Sequence, residues 1–184
     1  MSLDNPFLAE RIADAMQSLG GFAEHLPPLI QDSGEQLGRC LVQGNKIHIA
    51  GSDALHWLAG LFSSNLVHSH ALTRPSLPVL ALDGRNTAQC ARELQLWGVK
   101  GDALIVLGNN DATLPEALLS VAQQRGMFSL VIGAIDDSLY QQSWPETIFL
   151  PVDYTTITRM HEMTLFILNC LGDIIDAQLF GEHP

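Results

Sequence analysis

Two short polar segments each follow an apolar run, and their side chains could bind or move charge. The first is Gly51-Ser52-Asp53-Ala54-Leu55; the second is Gly108-Asn109-Asn110-Asp111-Ala112-Thr113. Each leads into a helical pattern, and the free N–H groups at a helix start attract anions. The hydroxyls of Ser52 and Thr113 suit such a ligand, whereas the carboxylates of Asp53 and Asp111 oppose it. Neither segment has the spacing of a P-loop or of the G-x-G-x-x-G dinucleotide fingerprint, so no cofactor is expected. His56, directly after the first segment, could act as a base or simply pack. His48, inside an apolar run, reads as a hydrogen-bonded core or interface group. His68-Ser69-His70 offers two imidazoles, but no cysteine or carboxylate stands near to complete a metal site; a solvated helix end explains it, and no metal is expected. Serine, histidine and aspartate all occur, yet no G-x-S-x-G elbow supports a hydrolytic triad. Cys40, Cys90 and Cys170 are scattered and odd in number, which is neither a disulfide framework nor a zinc signature. They read as buried, reduced thiols.

The elements that must position these groups follow from periodicity. Helical spacing covers 6–25, with Asn5 as cap and Pro6 at the first helical position. A second helix spans about 28–42. Strands are expected at 46–50, 77–82, 103–107, 128–132 and 147–150, with helices at 53–70, 86–97, 114–125 and 156–178. Strands alternating with helices, and apolar along their whole length, indicate a parallel sheet covered on both faces. The fold expected is a three-layer α/β/α sandwich with a five-stranded parallel sheet, N-terminal helices and a long C-terminal helix. It forms one domain over 1–184, divided into a helical segment, 1–43, and an α/β core with the last helix, 44–184. In such a sheet, ligands bind beyond the carboxyl ends of the strands, near a switch in strand order. Both polar segments fall there.

Composition narrows the partners. The chain has 184 residues, 47% of them hydrophobic and 16% charged, enough to bury a core. Nine Lys and Arg face twenty Asp and Glu, a formal charge of −11. That surface repels nucleic-acid phosphates and anionic membranes, so no direct nucleic-acid contact is expected. The first residues lack a basic then apolar pattern, and the most apolar stretch, 163–171, is too short to span a bilayer. A cytoplasmic protein with no membrane association is expected.

Gly44-Asn45-Lys46-Ile47 with the strand after it, Arg74-Pro75-Ser76-Leu77-Pro78 and Gly101-Asp102-Ala103-Leu104 resemble the sugar isomerase (SIS) domain, nearest its phosphoheptose isomerase-like subgroup. The run Arg159-Met160-His161-Glu162-Met163, the stretch Asn169 to Asp176 and the pair Leu179-Phe180 are similar to the DnaA initiator-associating, DiaA-type branch of bacterial replication control. The likeness covers most of the chain, but the departures carry information. The family's first loop reads G-N-G-x-S, and here its serine position holds Leu55. Its second loop, S-x-x-G-N-S, keeps only the Thr113 hydroxyl. Active isomerases place a Glu on the helix after the first loop and a His on the last helix, seven residues past a Glu. Those positions hold Asn65 and Asn169, with Glu162 retained. Isomerisation moves a proton between carbons, and neither asparagine titrates. Asp53 and Asp111 would face a phosphate, and like charges about 4 Å apart repel by about 4 kcal/mol at an effective dielectric near 20. Both loops therefore read as eroded phosphate sites, and 83–100 is shorter than the family's matching wall. Glu162 is expected to cap a helix or to hydrogen-bond at a subunit interface.

The last helix is apolar nearly all round, from Ile157 and Met160 through Ile167, Leu168 and Leu171 to Ile175. Since a sheet covers only one side, a subunit interface is expected there, with the first helix as a second candidate, and a charge at Ile167 or Leu171 should break the assembly. The resemblance implies a homotetramer; a dimer is the smaller form considered. Leu179 and Phe180 are expected at a frayed helix end, where the resemblance implies that they hold DnaA. The functions in competition are a non-catalytic oligomeric adaptor, an isomerase with altered residues, and a phosphosugar sensor. The asparagines and loop carboxylates favour the adaptor and weigh against a phosphosugar ligand.

Overall fold

The computed structural model describes residues 6–68, 73–109, 111–134, 143–152 and 156–181. Helices α1 (Pro6–His25) and α2 (Pro27–Val42) precede β1 (Ile47–Gly51). Then follow α3 (Leu55–His68), β2 (Val79–Leu82), α4 (Thr87–Trp97), β3 (Ala103–Gly108), α5 (Thr113–Arg125), β4 (Phe128–Gly133), β5 (Ile148–Pro151) and α6 (Ile157–Phe180). The strands form one parallel sheet in the order β2-β1-β3-β4-β5. This is the three-layer sandwich expected from the apolar strand runs. Every residue of β1 and β3 is buried, and alternation sends neighbours to opposite layers. Ile47, Ile49, Ile105 and Leu107 pack with α2, α3 and α6, while Ala50, Leu104 and Val106 pack with α4 and α5.

Local chemistry sets the helix ends. Asn86 caps α4 by accepting from the Gln89 amide at 3.1 Å, and Thr156 caps α6 by accepting from the Arg159 amide at 3.2 Å. Left-handed glycines close α5 at Gly126 and α6 at Gly181. Asn5 lies outside the described residues. At Gly34 a Cβ would stand 2.6 Å from Ile174 Cγ2, so glycine is what lets α2 and α6 approach this closely.

That approach corrects the expectation for the last helix. Besides the sheet, α2 and α3 cover α6 within one chain. Ile167 and Leu171 are 0% exposed, so they are core residues and not subunit contacts. Of the large apolar residues on α6, Ile157 and Phe166 stay exposed. By length and composition α6 could cross a membrane, but one face is the chain's own core and it carries Arg159, Glu162, Asp173 and Asp176. Among the described residues an exposed apolar face lies on α1, where Phe7, Leu8, Ile12, Met16 and Leu19 are exposed and only Phe22 is buried, and a smaller one lies at the end of α4 with Leu96, Trp97 and Val99.

At the amino ends of the strands, Asp102 is fully buried. Its carboxylate accepts from the Lys46 amide at 2.9 Å, from His48 Nε2 at 2.9 Å and from the Val99 amide at 3.2 Å. Lys46 Nζ stands 3.4 Å away. Burial alone would raise this carboxyl, but the Lys46, His48 and Val99 donors outweigh it and hold it below the usual carboxylate range. Burial pushes His48 down against the pull of Asp102, which favours the neutral imidazole. The residue read as a hydrogen-bonded core histidine is thereby placed.

Candidate functional site

The strand order reverses between β1 and β3, because β2 lies on one side of β1 and β3 on the other. The crevice beyond their carboxyl ends is therefore the place for a ligand, and both polar segments meet there. Asn109 donates from Nδ2 to Asp53 Oδ2 at 3.0 Å, joining the loop after β3 to the loop after β1. The Asn109 side-chain carbonyl accepts from the Asp111 amide at 2.9 Å. Asp111 Oδ1 accepts from the Thr113 amide at 2.9 Å and from the Thr113 hydroxyl at 2.6 Å. These bonds, the hydroxyl's first, hold the Asp111 carboxyl below its ordinary range. Asp53 is the one non-glycine residue with positive φ, 44°, among the described residues, and its carbonyl meets His56 Nδ1 at 2.6 Å. The two loops are thus clasped, with a carboxylate of the chain itself on the first amide of α5. Asn110 lies outside the described residues.

Gly51 ends β1, and Ser52 donates its amide to the Leu107 carbonyl at 3.1 Å. The Ser52 hydroxyl is buried and makes no hydrogen bond among the described residues. Leu55, the residue in the serine position, is core at 1% exposure, whereas Trp57 is exposed, with its ring tilted against that of His56. The start of the 83–100 segment, expected as a shortened wall, stands as a third wall of the crevice. A Cβ at Gly84 would stand 2.3 Å from the Gly51 carbonyl oxygen, so the turn after β2 lies against the crevice with Asp83 and Arg85. Arg85 donates to both Asp83 oxygens at 2.8 Å, and these bonds bring the Asp83 carboxyl to about 2. The spacing Asp83-Gly84-Arg85 after a strand was the available signal.

The remaining expected residues are dispersed. Asn65 is half-buried on α3. Glu162 and Asn169 are exposed, two turns apart on one face of α6. The Glu162 carboxylate accepts from Arg159 Nη1. Arg159, 5% exposed, also donates through Nε to Asp14 Oδ2 at 3.1 Å and through Nη2 to the Arg11 carbonyl at 3.2 Å, tying α1 to α6. Glu162 therefore serves an ion-pair cluster and caps no helix. Leu179 and Phe180 do not fray: both pack partly buried against the larger core, and Gly181 closes the helix by donating to the Ala177 carbonyl at 2.9 Å. The Arg74 guanidinium lies 5.6 Å from the Phe180 ring centre.

No three His, Cys, Asp or Glu residues gather as a metal site among the described residues. His68 ends α3, and Ser69 and His70 lie outside the described residues. Burial raises the Cys40 thiol to about 11 and the Cys90 thiol to about 12, so neither is a ready nucleophile.

A five-stranded parallel sheet in this order, with loops converging at the β1/β3 switch, is the architecture of the sugar isomerase (SIS) domain. No family model matches the chain. Phosphoheptose isomerase of Chromohalobacter salexigens is 30% identical over 177 residues, 86% of this chain and 88% of the relative. DnaA initiator-associating protein DiaA of Photorhabdus laumondii is 24% identical over 181 residues, 91% and 92% of the two chains. A phosphoheptose isomerase structure from Francisella tularensis superposes with a TM-score of 0.81 at 23% identity, covering 96% of this chain and 99% of that one. The chain belongs to the phosphoheptose isomerase family.

Proposed function

We propose that this chain is a non-isomerising member of the family, a cytoplasmic oligomeric adaptor with the replication initiator DnaA as its partner. The observation that carries the first part is the clasped crevice. Asp53 and Asp111 place two carboxylates where a sugar phosphate would need donors, and Asp111 already occupies the Thr113 donors. Isomerisation further needs a group that takes a proton from one carbon and returns it to the next. Asn65 cannot do this, and Asn169 lies with a Glu162 that is engaged by Arg159. With chemistry removed, the exposed apolar face of α1 supports self-assembly, and the DiaA relative supports the choice of DnaA. A homotetramer would repeat each weak contact and raise avidity. The test is a pull-down of DnaA alongside an isomerisation assay with sedoheptulose 7-phosphate. Capture without turnover is expected; turnover at an isomerase's rate ends the reading.

The comparisons favour a second reading more than this adaptor role. Identity is 30% to the isomerase from C. salexigens against 24% to the DiaA protein. That reading keeps the crevice as a modified phosphosugar site, catalytic or sensing. Calorimetry with sedoheptulose 7-phosphate separates the two, since micromolar binding belongs only to the second.

A further inference from the structure

We infer that Arg74 is a positioning residue that fixes the Leu179–Phe180 end of α6 as a rigid surface for a partner, without touching the partner itself. The inference rests on the adaptor reading and names the residue on which its contact surface depends.

The Arg74 side chain is 3% exposed. A guanidinium keeps its proton in a protein, so a buried one must find fixed acceptors. Arg74 finds two carbonyl acceptors and one counter-ion, on three elements. Nε stands 2.7 Å from Asp176 Oδ1 in the last turns of α6, an ion pair without hydrogen-bond alignment. Nη1 donates to the Leu66 carbonyl at 2.8 Å, at the end of α3, and to the Pro75 carbonyl at 3.1 Å, in the run toward β2. Carbonyls in a helix's last turn lack intrahelical partners, and the negative end of the helix favours a cation. The same guanidinium lies over the Phe180 ring, with Cζ 5.6 Å from its centre.

One side chain thus joins the end of α3, the entry to β2 and the end of α6. Without it, Asp176 would be a buried carboxylate lacking its cation, and the last turn would keep only apolar packing and the Gly181 cap. Helix ends held by so little open readily. An aromatic already fixed in place loses less freedom when a partner covers it, and this kind of pre-ordering is what raises affinity. Lysine cannot reproduce the arrangement, because its three donors radiate from one nitrogen instead of spreading along a planar fork, and it has no plane to lay on a ring.

The test uses the full chain with Arg74→Gln, Arg74→Lys, Asp176→Asn and Phe180→Leu. Hydrogen exchange is read at the amides of 177–181, and DnaA capture is read separately. Arg74→Gln and Asp176→Asn should speed exchange there by about tenfold or more, with Arg74→Lys intermediate. Capture by Arg74→Gln should fall about tenfold although Leu179 and Phe180 are intact. Unchanged exchange, or a loosened end that captures DnaA as well as the parent, overturns the inference. If Arg74→Gln does not fold, Asp176→Asn and Phe180→Leu supply both measurements, and the same outcomes decide. A parent that captures no DnaA sinks the adaptor reading and the partner half of the inference. Unchanged exchange in the variants sinks Arg74's role alone, so the two failures are read separately.

Discussion

Replacing Asp102 by alanine should unfold this protein more readily than almost any other single polar change. The carboxylate satisfies the Lys46 amide, the Val99 amide and His48 Nε2, and it is fully buried. Alanine removes all three acceptor contacts and leaves three donors without partners. Each stranded donor costs about 1–3 kcal/mol. Water entering beside Lys46, whose side chain is 35% exposed, recovers part of that, so the total should be about 3–5 kcal/mol, the range for breaking a buried charged cluster. For a chain of this length that corresponds to a fall in Tm of about 10 °C. Asp102→Asn keeps the shape and one oxygen, and should cost about 1–3 kcal/mol. Urea unfolding followed by circular dichroism reads both. The consequence reaches the crevice, because β1 and β3 are both anchored here and carry the two clasped loops at their other ends. A loss under about 1 kcal/mol for the alanine variant, with an unchanged dependence on urea, would refute the reasoning.

Three further outcomes are expected. Since burial lowers the folded pKa of His48, the unfolded chain takes up a proton near 6.5 that the folded chain refuses; stability from this group is present above 6.5 and falls below it by up to about 1.4 kcal/mol per pH unit. His48→Asn should flatten that slope in urea titrations between about pH 7 and 5, and an equal slope in the variant would contradict the assignment. The double variant Asp53→Ser with Asp111→Ser should bind inorganic phosphate or sedoheptulose 7-phosphate at least about tenfold more tightly than the parent, as removal of two like charges implies; calorimetry showing no gain rejects the clasp as the barrier. Met16→Asp should reduce the assembly seen by light scattering while leaving the melt nearly unchanged, whereas Ile167→Asp should unfold the chain by burying an unpaired charge, about 3–5 kcal/mol. A Met16→Asp variant that assembles like the parent removes α1 from the interface.

The elements were legible in the sequence because their signals are local. Apolar runs bounded by Gly51, Gly108 and Gly126 mark the strand and helix ends, and the observed bounds follow them closely. The two loops were legible as a site because a parallel sheet sends the chain to one edge. What the loops do to each other was not. The Asp53–Asn109 bond joins residues far apart in sequence, and nothing in either segment names its partner. The same holds for Arg74 with Asp176 and for Arg159 with Asp14. The misreading of α6 has a geometric cause: counting apolar positions shows how much of a helix needs cover, but not that α2 and α3 supply it. Leu179 and Phe180 were placed at a frayed end because the glycine after them was visible and the arginine above them was not.

The two outer strands limit how this molecule can multiply. Both β2 and β5 have only four residues, Pro78 stands directly before β2, and Pro151 ends β5. Pro151 offers no N–H to an incoming strand, while Pro78 turns its carbonyl inward to the Ile47 amide of β1; at both edges the short strand gives an incoming one little to follow. The two edges are therefore poor templates for extending one sheet into the next. Fibre-like growth along the strand-pairing direction is disfavoured at both edges, and an exposed apolar helical face such as that of α1 is the better surface for another copy, where contact can close on itself and stop.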